Sequence, residues 1–189
     1  MGTPPISPLR IETTDIDGLL VITMKQAADD RGTVREVFRQ SAFDDVGAVG
    51  PWRQVNVTET GQGAIRGLHG EAMTKLVAVV HGEAFGAYVD ARPDSPSAGK
   101  VVTVRLTKGI QVLVPAGVCN GFQSVSPGVS QYLYCFDAEW VPGMTGVAVY
   151  PLDPDLGIVW PIPVDADDRV QLSAKDAGLP RLREVLGQE

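Results

Sequence analysis

Short runs of alternating or β-branched apolar residues, broken by Gly- and Pro-containing turns, fill most of this chain. Trp52–Thr58 (WRQVNVT) places Arg53, Val55 and Val57 on one face of a strand and Gln54 and Asn56 on the other. Lys75–Val80 and Ala84–Val89 are nearly continuous apolar runs split by His81-Gly82-Glu83, the pattern of a hairpin through a sheet core. Lys100–Leu106 and Ile110–Val114 flank the turn Thr107-Lys108-Gly109. Cys119–Val125 and Val129–Phe136 read as a further pair across Ser126-Pro127-Gly128. Nearer the start, Arg10–Thr14 and Leu19–Thr23 read as strands around Asp17-Gly18, and Asp29–Phe38 as a tight turn feeding a short strand. Strands recurring about every ten residues predict a mainly all-β fold, an antiparallel sandwich or closed barrel in place of βαβ units. No repeat with a period of roughly 20 to 50 residues is visible, which disfavours a solenoid or propeller.

Helix is minor. Ser41–Asp45 predicts one helical turn capped by Ser41, Ser173–Ala177 a turn or N-cap, and Leu182–Leu186 a short terminal helix. Residues 1–9 are Pro-rich and read as loose, and residues 141–189 as Pro- and Asp-rich covering loops ending in that helix. At 189 residues and 20.1 kDa the chain makes one domain, 1–189, with enough length to bury a core without staples.

Charge narrows the partners. A net charge of -7 and a pI near 4.8, with no basic stripe, argue against nucleic acid or an anionic membrane surface, so an anionic ligand must meet a local basic cluster. Cys119 and Cys135 show no metal-ligand spacing, and a reduced, cytoplasmic protein is expected. The first residues carry no apolar leader, and no apolar run reaches the roughly 20 residues needed to span a bilayer, so neither secretion nor insertion is expected.

Candidate chemistry concentrates in Ile65–Asp90, which holds both of the chain's 2 histidines. Arg66, His69 and Lys75 sit at the start of the apolar pair of strands. Two cations around a titratable imidazole point to an anionic ligand beside a proton-transfer group. His81 precedes a turn glycine and is read as solvent-facing. By residue type alone Tyr134 would be barrel packing, Asp176 a capping residue, and Arg31, Arg35 and Glu36 a solvated hairpin.

A resemblance lifts several of these. RGLHG (66–70), KLV (75–77), GEAF (82–85), VDAR with SP (89–96), VPAGVCNGF (114–122), YLY (132–134), DPDLGIVWP (153–161) and LSAKDA (172–177), preceded by DDRG-x3-E (29–36), follow the order seen in the dTDP-4-dehydrorhamnose 3,5-epimerase family. The resemblance covers roughly residues 15–180. It implies a cupin-type antiparallel jelly-roll barrel, a homodimer with exchanged N-terminal strands, no metal and no organic cofactor. The substrate implied is a nucleotide-linked 4-keto-6-deoxyhexose, epimerised at carbon 3 and carbon 5 in deoxysugar biosynthesis. A ketone at carbon 4 acidifies both neighbouring C–H bonds, so such a reaction needs a base on one face, an acid on the other and a cation for the enolate oxygen. By resemblance His69 is the base, Asp176 orients it, Tyr134 is the acid and Lys75 steadies the enolate. Arg66 faces the pyrophosphate and Lys175 adds a phosphate contact. Gln54, Asn56, Asn120 and Trp140 help to line the substrate site, with Arg31 and Glu36 arriving from the partner subunit.

Departures from the family pattern bear on specificity. Asn120 stands where a second histidine is usual, and asparagine offers hydrogen bonds only. Gly70 and Glu71 follow RGLH in place of an aromatic, a change read as opening space and adding a negative charge. Thr33 replaces an aromatic after DRG, and Trp140 a second tyrosine. A single-position epimerase, a ketoisomerase and a catalytically silent nucleotide-sugar-binding cupin are the competing readings. A metal-dependent cupin oxygenase is disfavoured, because two histidines cannot supply its usual ligand set.

Overall fold

The computed structural model describes residues 6–46 and 49–188. Its strands are β1 (Ile6–Ser7), β2 (Arg10–Thr13), β3 (Leu20–Thr23), β4 (Lys25–Asp29), β5 (Gly32–Glu36), β6 (Gln54–Gly61), β7 (Ile65–Glu71), β8 (Lys75–His81), β9 (Ala84–Asp90), β10 (Val101–Leu106), β11 (Ile110–Val114), β12 (Val118–Ser124), β13 (Val129–Phe136) and β14 (Gly146–Ala148). Two one-turn helices, α1 (Ala174–Ala177) and α2 (Leu182–Val185), follow. A six-stranded sheet, ordered β2-β3-β11-β8-β13-β6, faces a five-stranded sheet, β10-β9-β12-β7-β14. All pairings are antiparallel. This double-sheet arrangement is the mainly β sandwich expected from the strand pattern, of the cupin-like kind the resemblance implies.

Most strand positions are close to those read from the sequence, but β4 and β7, the latter carrying Arg66 and His69, were not read as strands, and the three strand pairs expected across the turns at 81–83, 107–109 and 126–128 do not form hairpins. β8 pairs with β11 and β13, whereas β9 pairs with β10 and β12 in the opposite sheet. The turns at 107–109 and 126–128 likewise carry the chain from one sheet to the other. The physical reason is that a tight turn only reverses the chain, and in a sandwich both the same-sheet and the cross-sheet neighbour satisfy an apolar run. Gly82 illustrates the corner: it has φ 72, and a Cβ there would lie 3.0 Å from the Val129 carbonyl oxygen, where the next crossing packs.

Between the sheets lie Val77 and Val79 from β8, Val112 and Val114 from β11, and Tyr88 from β9, with Phe122 of β12 stacked on Tyr132 of β13 at 4.0 Å. Each sheet is also covered on its outer face. Phe43 and Val49 close over Ile22, Leu76 and Leu113 of the larger sheet. Val149, Leu156 and Leu182 close over Leu68, Val89 and Cys119 of the smaller one. Double coverage explains why β8 and β9 read as nearly continuous apolar runs rather than alternating ones.

Other expectations change in detail. Ile6 and Ser7, read as loose, pair with Ala27 and Gln26, while residues 1–5 of that stretch lie outside the described residues. The turn near Ser41 is a pair of 3-10 turns, Gln40–Ala42 and Asp44–Val46, and the first has Arg39 at its N-cap with no side-chain cap. The covering segment after residue 141 contains a strand, β14, that extends the smaller sheet beside β7. β1, β4 and β5 form a separate three-stranded sheet.

Candidate active site

A cavity of about 590 Å³ opens at one end of the sandwich, and both sheets and the C-terminal segment contribute to its wall. Alternation along β6 turns Asn56, Thr58 and Thr60 toward it. On β7, strict alternation would separate Arg66 from His69, three residues on. A bulge prevents this: Arg66 lies opposite Phe122 and His69 opposite Asn120, so Gly67 and Leu68 together face Gly121. Both polar side chains therefore line the cavity, while Leu68 turns to the outer core. Glycine is required at the bulge, since Gly67 has φ 116 and a Cβ would lie 2.6 Å from the Gly121 Cα.

The His69 imidazole meets Asp176 across 2.8 Å, Nε2 to Oδ1. Asp176 reaches it because Ser173 caps α1, its hydroxyl accepting from the Asp176 N–H at 3.0 Å. Burial acts to raise the Asp176 carboxyl, but the hydrogen bond and charge of His69, with help from Ser173 and the Gly67 amide, hold it below the usual carboxylate range. Nε2–H donating to that carboxylate leaves Nδ1 as the free basic nitrogen of the ring.

Lys75, at the start of β8, is 3% exposed. Its ammonium donates to the His69 carbonyl at 3.1 Å, to Asn120 Oδ1 at 2.8 Å and to the Glu71 carboxylate. Glu71 is pushed up by burial, yet Lys75 and, to a lesser degree, His69 bring it below its ordinary value. Tyr134, on β13 of the opposite sheet, also lines the cavity. Burial raises its phenol, Arg66 works in the other direction, and the Glu71 charge adds to the rise. Arg66 is held by Thr60 Oγ1 at 2.8 Å and the Glu59 carbonyl at 3.2 Å, and Lys175 contributes a further cation to the wall.

Of the residues proposed from sequence, His69, Asp176, Tyr134, Lys75, Arg66, Asn56, Asn120 and Lys175 thus share one cavity. Gln54 does not line it; its amide donates to Asn56 Oδ1 at 3.2 Å and accepts from the Trp140 N–H at 2.8 Å. Trp140 stands at 50% exposure outside the lining. Arg31, in the turn between β4 and β5, and Glu36, at the end of β5, pair with Asp29 and Arg39 and do not reach the cavity of their own chain. Gly70 opens no space there: a Cβ would point to the Gly117 carbonyl oxygen at 2.9 Å and the Cys119 amide at 3.0 Å, away from the cavity. His81 is exposed, as expected. Sequence reading missed Thr58 and Thr60, and read Glu71 as an added negative charge without its bond to Lys75. The two threonines were recoverable, because they continue the period-2 face that begins at Asn56. Among the described residues, no group of three or more His, Cys, Asp or Glu side chains could hold a metal ion, and no helix is long and apolar enough to cross a membrane.

This cupin-like β-sandwich brings an imidazole paired with a carboxylate, a buried lysine and a phenol from the opposite sheet into one cavity, and its relatives make it an isomerase of the sugar-epimerase class. The family profile described as dTDP-4-dehydrorhamnose 3,5-epimerase matches residues 13–184. A dTDP-4-dehydrorhamnose 3,5-epimerase of Methanothermobacter thermautotrophicus is 30% identical over 95% of this chain and 97% of its own length. A dTDP-4-dehydrorhamnose 3-epimerase of Streptomyces niveus is 32% identical over 90% of this chain and 88% of its own. The crystal structure of the Legionella pneumophila dTDP-6-deoxy-D-glucose-3,5-epimerase in complex with dTDP-4-keto-L-rhamnose superposes with a TM-score of 0.83 at 32% identity, covering 96% of this chain and 99% of that one. The chain belongs to the dTDP-4-dehydrorhamnose 3,5-epimerase family.

Proposed function

We propose that this protein epimerises a dTDP-linked 4-keto-6-deoxyhexose at carbon 3, carbon 5 or both, through an enolate and without a cofactor, in deoxysugar biosynthesis. The observation that carries the reading is the placement of the Asp176-backed His69 and of Tyr134 on opposite sheets of one cavity. His69 Nδ1 takes the proton from carbon, and the C–H electron pair moves into the enolate as the carbonyl oxygen gains negative charge. Lys75 receives that oxygen. Tyr134 returns a proton to the opposite face, and both groups re-equilibrate with water. Asp176 stabilises the imidazolium formed in the first step. Arg66 and Lys175 supply cations for the diphosphate, which a guanidinium can grip in two places.

Arg31 and Glu36 complete the nucleotide site of a second copy in a homodimer that exchanges N-terminal strands. Supporting this, Val34 and Ile6 on the small sheet and Val55 and Val57 on β6 are large apolar residues left 76%, 55%, 58% and 57% exposed. Gln54 and Trp140 act at the rim. A reducing, cytoplasmic setting suits Cys119 and Cys135, both free and buried.

Proton NMR of the protein with dTDP-4-keto-6-deoxyglucose in deuterated water tests the assignment. Signal loss at carbons 3 and 5, abolished by His69→Ala, is expected for the double epimerase. Loss at one carbon establishes the single-position reading, which the 3-epimerase relative and the non-titrating Asn120 favour. No loss at either leaves only nucleotide-sugar binding and refutes the reaction.

A further inference from the structure

Lys75 is saturated. An ammonium group has three protons to donate, and here the His69 carbonyl, Asn120 Oδ1 and the Glu71 carboxylate take all of them. The epimerase reading above requires this same ammonium to meet the carbonyl oxygen of the sugar, so one of the three acceptors must leave. The His69 carbonyl belongs to the backbone of β7 beside the bulge and cannot withdraw without unpairing that strand. Asn120 is 5% exposed and sits on β12, paired on both sides by β7 and β9. Glu71 differs from both. It stands at the end of β7, its side chain is 23% exposed, and it lines the cavity with a flexible arm.

We propose that Glu71 is a positioning residue of the reaction: in the resting site its carboxylate occupies the place on the Lys75 ammonium that the ketone oxygen takes, and it swings aside when the ketosugar binds. The inference rests on the epimerase reading. It explains why a carboxylate is tolerated beside a developing oxyanion. While the site is empty it neutralises a lysine otherwise buried without an ionised partner, which is strongly unfavourable. Its charge is felt by the groups around it, His69 on the same strand and Tyr134 on the opposite sheet, where it adds to the upward push on the phenol. Withdrawing the carboxylate from this corner therefore favours both the enolate oxygen and proton donation by Tyr134. The nucleotide alone has no ketone to offer Lys75 and leaves the pair closed.

The test compares wild type with Glu71→Gln, which keeps the shape and one acceptor oxygen but removes the ion pair. Carbon-bound hydrogen exchange of dTDP-4-keto-6-deoxyglucose should show kcat/KM raised by about tenfold, the order expected when a charge-assisted bond no longer has to be broken. The Kd for dTDP should be the same in both proteins. A fall in kcat/KM of tenfold or more with the fold intact would make Glu71 a required anchor or proton carrier and overturn the proposal. Unchanged kcat/KM with a lowered Tm would make the pair merely structural, with the same consequence. A readout on the wild type needs neither the variant nor turnover: with 13C-labelled glutamate, the Glu71 carboxyl resonance should shift on addition of the ketosugar and stay put with dTDP. No selective shift refutes the displacement. Absence of exchange in the wild type at both carbons would instead refute the epimerase reading, and the NMR response would still report on the pair.

Discussion

Replacing Asp176 by Asn isolates what the carboxylate does for His69. The amide keeps a hydrogen-bonding oxygen near Nε2 but removes the negative charge that, in the proposed mechanism, faces the imidazolium once His69 has taken a proton. Charge centres about 4 Å apart interact by about 4 kcal/mol at an effective dielectric of about 20. The His69 side chain is 30% exposed and that of Asp176 8%, so solvent trims the figure to about 3 kcal/mol. At 1.36 kcal/mol per decade this predicts a loss of about two decades in kcat. Because Asp176 acts on the ring and the charge develops only along the reaction, kcat and kcat/KM should fall together, with KM within about twofold. Single-turnover deuterium exchange at saturating ketosugar measures this, with circular dichroism confirming the fold. A loss of less than tenfold would mean that no imidazolium forms next to position 176 in the rate-determining step, and the base would have to be sought elsewhere.

Two further outcomes follow from the same geometry. Tyr134→Phe removes the proposed acid but not the proposed base, so deuterium should still enter the starting sugar while formation of epimerised product falls by about 10²- to 10⁴-fold, as NMR of the two sugar pools would show. Asp90 is fully buried and accepts from Arg92, Ser95 and Ser97; burial opposes ionisation there, but those donors hold the carboxyl well below its ordinary range. A depressed folded-state pKa stabilises above the unfolded value of about 3.9 and is lost as pH falls through the folded one. Asp90→Ala should therefore cost about 3 kcal/mol in urea unfolding at pH 7, with the gap to wild type narrowing only under strongly acidic conditions.

Most strand positions were legible because apolar periodicity and Gly/Pro turns report directly on local backbone, whereas β4 (KQAAD) and β7 (IRGLHGE) lack a clean apolar run and were not read. Strand partners were not, since the turns after β8, β10 and β12 carry the same residues whether they close a hairpin or cross a sandwich. The site divides in the same way. Arg66, His69 and Lys75 were visible as an unusual local cluster, but their convergence depends on the bulge at Gly67–Leu68, which alternation alone would have denied. Asp176 lies 107 residues from its partner, and only the ordered family motifs made the pairing readable. Gly70 was misread because its strand face was unknown: once the bulge fixes His69 inward, the residue after it points into β12. Glu71 could be noticed as a charge, but its bond to Lys75 exists only where the end of β7 meets the start of β8.

The crossing turns also bear on how the chain reaches this state. Among the sheet pairings of the described residues, only β2 with β3, β4 with β5 and β9 with β10 join strands adjacent in sequence. Every other ladder must close a longer loop before its contacts reward it, so folding should be slow, on the order of milliseconds to seconds for topologies of this kind. The His69–Asp176 pair needs both β7 and the far C-terminal segment to be docked. Recovery of enzyme activity during refolding should accordingly lag behind recovery of β-sheet signal, making proton abstraction from the sugar a late reporter of chain assembly.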